Sequence, residues 1–438
     1  MKYLLMLLII ALVGSGLTGI DISLAPGVSL KNLFLYLAAA LLAARALLLR
    51  DLRFELPGIT TGFLVIFLYA VVTWITAGAI LDYEGYRFVD SGMQLKNRLL
   101  DYLFLFWVAF YGLTRDDARE ALAFLLAVFG FAHVLGIAYY FGYVNLEGLY
   151  NPYDARLRGF IGEANQYGTL NACFLPVMIA QVFATRSTAA KMFWAGLALT
   201  SFVALLLTGS RGALVGLLIG GALLIAVYPR ILPMRRLVVG GVAAVIAGAA
   251  FVAVLSVLTG NFLYERFIGD SLVVGEMSSG RVEIWLTLLH KMADAPLTFI
   301  TGYGWNAYFS MPFRWWPHNT FLLYWFDLGL VGLVAFCWIL WASFSRLRSG
   351  ALAATGDRRP LLIGASIGIA SLAASACFVE LPAVWPYVWM LVGLGLRLAS
   401  RPLPAPAQVP ARHVSESVAS STPRPSDDPY GWQVRNIS

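Results

Sequence analysis

Charge is scarce in this sequence: Asp, Glu, Lys and Arg make up 13% of its 438 residues, about half of what a soluble domain carries. That scarcity excludes an ordinary soluble globular chain, and it removes nucleic acid as the default meaning of the net charge of +7. Cysteine is scarce too. Cys173, Cys337 and Cys377 lie singly inside apolar runs, which excludes a disulfide scaffold or a thiolate metal site and leaves buried, inert thiols. There is no H-E-x-x-H and no D-x-D of a nucleotide-sugar transferase. The carboxylates outside the apolar runs form no metal-binding spacing, so neither a metal nor another cofactor is expected.

What the chain has in place of charge is hydrophobic length. Apolar residues make up 60% of it, in runs near the 20 residues needed to cross about 30 Å of hydrocarbon. The expected fold is therefore an all-α polytopic membrane protein with about 12 transmembrane helices. They fall near residues 3–20, 31–49, 58–80, 99–113, 119–142, 166–184, 192–208, 212–228, 237–258, 319–343, 360–378 and 383–399. The opening MKYLLMLLIIALVGSGLTGI resembles a signal peptide but lacks an A-x-A cleavage pattern, so it reads as a retained span. No internal repeat supports an inverted-repeat carrier.

Orientation follows from the basic residues. With the N-terminus inside, most of the 31 Lys and Arg residues fall on the cytoplasmic side, and both termini are cytoplasmic. Residues 1–400 form the transmembrane domain, and 401–438, rich in Pro and Ser, read as a disordered cytoplasmic tail. The longest outer segment is about 259–318. Within it SSGRVEIWLTLLHKMADAP reads as an amphipathic helix with Val282, Trp285, Leu289 and Met292 on one face. Ser278 or Ser279 would cap it and Pro296 would stop it.

Basic residues that breach the orientation rule need another reason, and a bound anion supplies one. Arg281 falls in the first turn of the amphipathic helix, where the dipole disfavours a cation. In LLLTGSRGALVG, the turn between two spans holds Arg211 at a helix start, with Ser210 or Thr208 as cap. Two guanidiniums can each grip phosphate oxygens in a two-pronged manner that Lys cannot reproduce. The segment NPYDARLRGFIGEANQYG, carrying Arg158, Asn165 and Glu163, is too polar for a simple turn. It reads either as a loop held by ion pairs or as a wall of groups suited to sugar hydroxyls or phosphate.

Among the four histidines, His318 stands out. It follows Pro317 at the outer mouth of the tenth span. Imidazole titrates near pH 6.5 when unperturbed, and neighbouring arginines would hold it neutral and able to take a proton, as a general base requires. A capping or interfacial histidine is the plainer reading of the same position. His290 reads as a solvated residue, His133 as a satisfied core residue and His413 as tail. Trp305, Trp315 and Trp316 fit an interfacial belt, and they also fit stacking on sugar faces.

The order GSRGA (209–213), SGRVEIW (279–285), GYGWNAYF (302–309) and PHNTFLLYWFDLGLVGL (317–333) resembles the O-antigen ligase and polymerase superfamily. The resemblance implies a fold similar to the C-type glycosyltransferases and a metal-independent, inverting glycosyl transfer with no cofactor. The donor would be undecaprenyl-pyrophosphate-linked O-antigen. In the ligase branch the acceptor would be a sugar of lipid A–core, at the periplasmic face of a Gram-negative inner membrane. It implies His318 as general base and Arg211 and Arg281 on the pyrophosphate. Arg158, Asn165, Arg314 and Asn319 are weaker expectations for substrate contacts, and Lys96 and Arg98 would meet a phosphorylated acceptor. The basic outer segments before the large loop favour the ligase branch over a polymerase or a protein O-oligosaccharyltransferase. An anion transporter is the non-enzymatic alternative. It is disfavoured because the polar residues cluster at one face instead of the bilayer midplane.

Overall fold

A computed structural model describes residues 1–25, 28–49, 58–81, 84–144, 150–151, 156–229, 248, 250–260, 265, 267, 280–310 and 317–400. Expected features at Arg314, Trp315, Trp316, Ser278, Ser279 and the tail from 401 onward, His413 included, lie outside these residues. So does most of the expected span 237–258.

Residues 1–400 form one compact unit, almost entirely helical. The chain runs through α1 (Lys2–Thr18), a short antiparallel pair β1 (Ser23–Ala25) and β2 (Val28–Ser29), α2 (Leu30–Leu49) and α3 (Gly58–Ile75). It continues through α4 (Phe88–Leu95), α5 (Asp101–Tyr111) and α6 (Arg115–Tyr140). A second two-residue pair, β3 (Tyr150–Asn151) with β4 (Arg156–Leu157), precedes α7 (Ala164–Ala184), α8 (Thr188–Leu207) and α9 (Arg211–Val227). Among the described residues three helices come next: α10 (Arg281–Asp294), α11 (Thr298–Thr301) and α12 (Ala307–Ser310). The unit closes with α13 (Thr320–Ala353), α14 (Arg358–Ala376) and α15 (Trp385–Ala399).

Seven helices among the described residues are long and apolar enough to cross a membrane, which makes this an all-α multi-pass membrane protein; α1 and α9 are apolar but shorter. The boundaries expected from hydropathy shift most around the fourth span. There the helix begins at Phe88 and reaches α5 through a π-helical stretch, Lys96–Leu100. The extra residue per turn lets Lys96 and Arg98 sit in a continuous helix rather than in a loop.

The centre of the bundle is α14. Lipid supplies no hydrophobic drive between helices, so close packing of small residues must do so. On one side Gly364 and Gly368 lie against the backbone of α7; a Cβ on Gly368 would stand 2.1 Å from the Cys173 carbonyl. On the other, Gly216 and Gly220 of α9 lie against Ser375 and Ser371, where a Cβ would meet each hydroxyl at 2.0 Å. This sandwich fixes where α14 ends, and its end carries Phe378, Val379 and Glu380. Of the cysteines, Cys173 is buried here, whereas Cys337 is exposed on α13 instead of buried as expected.

The helix α13 is broken. Gly329 has φ 60° and ψ −161°, a region open in practice to glycine alone. The carbonyls freed by the break are taken up by the GYGWNAYF segment. Tyr303 N–H donates to Phe326 O and Gly304 N–H to Asp327 O, both at 2.9 Å. Tyr308 N–H donates to the buried Asp327 carboxylate at 2.9 Å. Trp305 is buried, with its indole N–H on Ser91 O at 3.1 Å. It is therefore a keystone of this knot and not the belt residue expected. Burial pushes the Tyr86 phenol up to about 12, so it stays protonated and donates to Trp305 O at 2.6 Å.

Candidate functional site

The knot positions α10. Its buried face is Leu288 and Met292, with Ile284, Trp285 and Leu289 packed around Tyr303 and Phe326. The expected face included Val282, which is 48% exposed. The helix packs on the protein knot, and this rotates the contact face away from Val282. Its N-cap is Gly280 in the left-handed conformation, with no side-chain cap. His290 is exposed as expected. The Trp285 indole donates to Pro317 O at 2.7 Å. Arg281, one turn earlier at the first position of α10, is thereby held on the side of His318.

His318 has φ 47°, an uncommon conformation for a residue with a side chain, costing about 1–2 kcal/mol. Three contacts hold it there. Its N–H donates to Glu380 Oε1. Thr320 Oγ1 donates to Val379 O at 2.7 Å. Asn319 caps α13 by accepting Leu322 N–H at 3.0 Å. The imidazole Nδ1 lies 3.3 Å from Glu380 Oε2, a charge contact without the alignment of a full hydrogen bond. Glu380 is almost fully buried, while the His318 side chain is one-third exposed. A buried carboxylate therefore fixes one ring nitrogen and leaves Nε2 for the open side. The group found against His318 is an acid that sequence reasoning had given no role. The signal was available: Glu380 is the only acidic residue between Asp357 and the tail, set between two apolar helices, and an acid so placed needs a partner.

Arg211 is brought in from the other side. Ser210 caps α9 by accepting Ala213 N–H at 3.4 Å, and Thr208 accepts Ser210 N–H at 3.2 Å. The turn packs so closely on the end of α14 that a Cβ on Gly212 would lie 2.7 Å from Phe378 Cβ. That is two residues from Glu380. The polar loop before α7 braces this turn. Arg156 Nε donates to Thr208 O and its Nη2 to Asn165 Oδ1, each at 2.7 Å. Glu163 accepts both Asn165 N–H and Gln166 N–H, at 3.0 and 2.6 Å, and Gln166 accepts Ala383 N–H at 3.0 Å. Asn165 is thus used at both ends of its amide within the loop, the bracing reading of this segment. Arg158, half-buried, opens a short 3-10 turn, Gly159–Ile161.

The remaining candidates lie along α4–α5. Arg98 packs over the Phe309 ring at 4.8 Å and lines a small cavity with Tyr102, Thr320, Asp327 and Pro382. Lys96 is held by Asp101 at 3.2 Å. His133 is buried, bonded through Nδ1 to the Tyr167 hydroxyl at 2.6 Å; its Nε2 has no partner among the described residues. Among those residues no group of three or more His, Cys, Asp or Glu could hold a metal ion.

One end of the bundle therefore gathers His318 with Glu380, Arg211 on the turn beside Phe378, and Arg281 above Trp285. A search of curated proteins finds no match. Residues 196–337, which span Arg211, Arg281 and His318, match the family model described as O-Antigen ligase.

Proposed function

We propose that this protein is an O-antigen ligase, transferring polysaccharide from undecaprenyl pyrophosphate to a sugar hydroxyl of lipid A–core. The reaction would take place at the periplasmic face of a Gram-negative inner membrane. The observation that carries the reading is a one-third-exposed His318 backed by buried Glu380, with two arginines at the starts of α9 and α10. His318 Nε2 takes the proton of the acceptor hydroxyl, and Glu380 compensates the imidazolium that forms. The hydroxyl oxygen attacks the anomeric carbon from the face opposite the leaving group, so configuration inverts. The bond from that carbon to the pyrophosphate oxygen breaks, and its electron pair leaves with the pyrophosphate. Arg211 and Arg281 take up that charge, helped by the first-turn N–H groups of α9 and α10. The donor arrives already activated, so no nucleotide sugar is needed.

Purified protein given lipid-linked polymer and lipid A–core in the presence of EDTA should form product. His318→Ala should lower the rate by about 10²–10⁴ while donor binding persists. Wild-type transfer by that variant, or a requirement for Mg²⁺, would refute the scheme. A deletion strain should accumulate long, unattached lipid-linked polymer on a gel; lipopolysaccharide bearing a single repeat would mark a polymerase instead.

A further inference from the structure

The end of the bundle opposite His318 is basic. Arg358 opens α14, whose other end leads to Glu380, and Arg115 opens α6. Both helices are long and apolar enough to cross a membrane, so the two arginines stand where a span meets the lipid headgroups. Arg397 joins them from the last turn of α15. The three are held in place by the backbone around them. Arg115 Nη2 donates to Ser400 O, and Arg359 Nε donates to Ala354 O at 2.7 Å. The ends of α13 and α15 pack so closely that a Cβ on Gly350 would lie 2.5 Å from Ala399 Cβ.

Acids close by are already engaged. Lys2 holds Asp117 at 3.2 Å and Glu120 at 2.7 Å, and Arg119 holds Asp357 at 2.5 Å. The charges of Arg358 and Arg397 therefore act on Arg115 more strongly than the opposing charge of Asp116. Arg115 Nε is buried and has no hydrogen-bond acceptor among the described residues. Orientation in a membrane asks only that cations lie on one side. It does not ask three helices to turn them toward one another, and for Arg115 and Arg358 the helix dipole adds to the cost. A phosphate oxygen pair fits a guanidinium fork and brings the missing negative charge. Basic groups between spans at headgroup level take anionic lipids in this way. We propose that Arg115 and Arg358, with the charge of Arg397 beside them, bind the phosphate of an anionic lipid headgroup. A zwitterionic headgroup carries its own cation and would leave the imbalance as it is. The site lies away from His318 and does not rest on the transferase reading.

The test is thermal unfolding of the full-length protein in a polyoxyethylene detergent. Dioleoyl phosphatidylglycerol, phosphatidylcholine with the same chains, or inorganic phosphate is added at equal concentration. Phosphatidylglycerol should raise the midpoint, as a ligand of the folded state does, and the other two should not. Arg358→Gln should weaken the apparent affinity for phosphatidylglycerol about tenfold. It should also raise the lipid-free midpoint, because one of the facing cations is gone. Arg346→Gln removes an exposed cation of α13 and should change neither. An equal shift with phosphatidylcholine, or an equal loss of affinity in Arg346→Gln, would overturn the proposal. So would a lowered lipid-free midpoint in Arg358→Gln, which would show the cluster to be stable without a ligand. An equal shift with inorganic phosphate would overturn the lipid as the source and leave phosphate as the ligand.

Discussion

Replacing Glu380 by Gln tests whether the acid orients His318 or merely fills space. Gln has the same shape, with one acceptor end and one donor end. The buried N–H of His318 demands an acceptor; facing it with an NH₂ group would cost about 1–3 kcal/mol. The amide oxygen therefore takes the N–H, and the NH₂ turns toward Nδ1, where the carboxylate oxygen stood at 3.3 Å. A donor there must meet a lone pair, so the ring proton moves to Nε2. In the proposed reaction that is the nitrogen that accepts the hydroxyl proton. The base is then in the wrong tautomer, a defect that in a serine protease costs about 10⁴ in rate, or about 5.5 kcal/mol. Transfer measured on a gel should fall by about 10³–10⁴ in Glu380→Gln, with thermal unfolding in detergent unchanged because the backbone contact survives. Glu380→Asp keeps the charge one methylene short and should recover part of the rate. A folded Glu380→Gln protein transferring within threefold of wild type would refute the reasoning. So would a loss of rate matched by a loss of folded protein, which would make the acid structural only.

Arg211→Lys and Arg281→Lys keep the charge but give up the two-pronged grip. Each should lower transfer by about 10²–10³ in single-turnover assays, and recovery at saturating donor would show that only ground-state binding was lost. Gly329→Ala should yield little monodisperse protein on size exclusion. Its Cβ would stand 2.1 Å from Ile300 O at a backbone conformation costing about 1–3 kcal/mol, and normal folding of that variant would show that the break in α13 is not required.

Hydropathy carried the class of this fold because length and apolarity are local properties. The start of α9 was legible for the same reason: Ser210 is a capping residue beside the helix it caps. What could not be read is whatever depends on contact across the chain. Gly329 lies in a run that hydropathy treats as one span, and only the pairing of 326–327 with 303–304 shows it as a break. Trp305 was read as a belt residue because a tryptophan near a membrane boundary usually is one; its burial comes from Ser91, 214 residues away. Glu380 was read as one acid among many, since its partner is 62 residues away. Asn165 pointed to sugar, yet its amide braces the Arg211 turn through Arg156.

The starts of α7, α9, α10 and α13 lie where these distant contacts meet, each with the positive end of its dipole at that end of the bundle. The side-chain oxygens of Glu163, Ser210 and Asn319 each accept first-turn N–H groups there. Adding Arg211 and Arg281 at two of these starts raises the positive field where a helix would ordinarily favour an acid. Helix stability argues against that placement, by a few tenths of a kcal/mol to about 1 kcal/mol per residue. A ligand that brings several negative charges at once reverses the sign of that term. A pyrophosphate leaving group does so most strongly when its bond breaks and its charge grows. In the proposed transfer both arginines stand where the charge on the leaving pyrophosphate grows, and this is the role we propose for their placement.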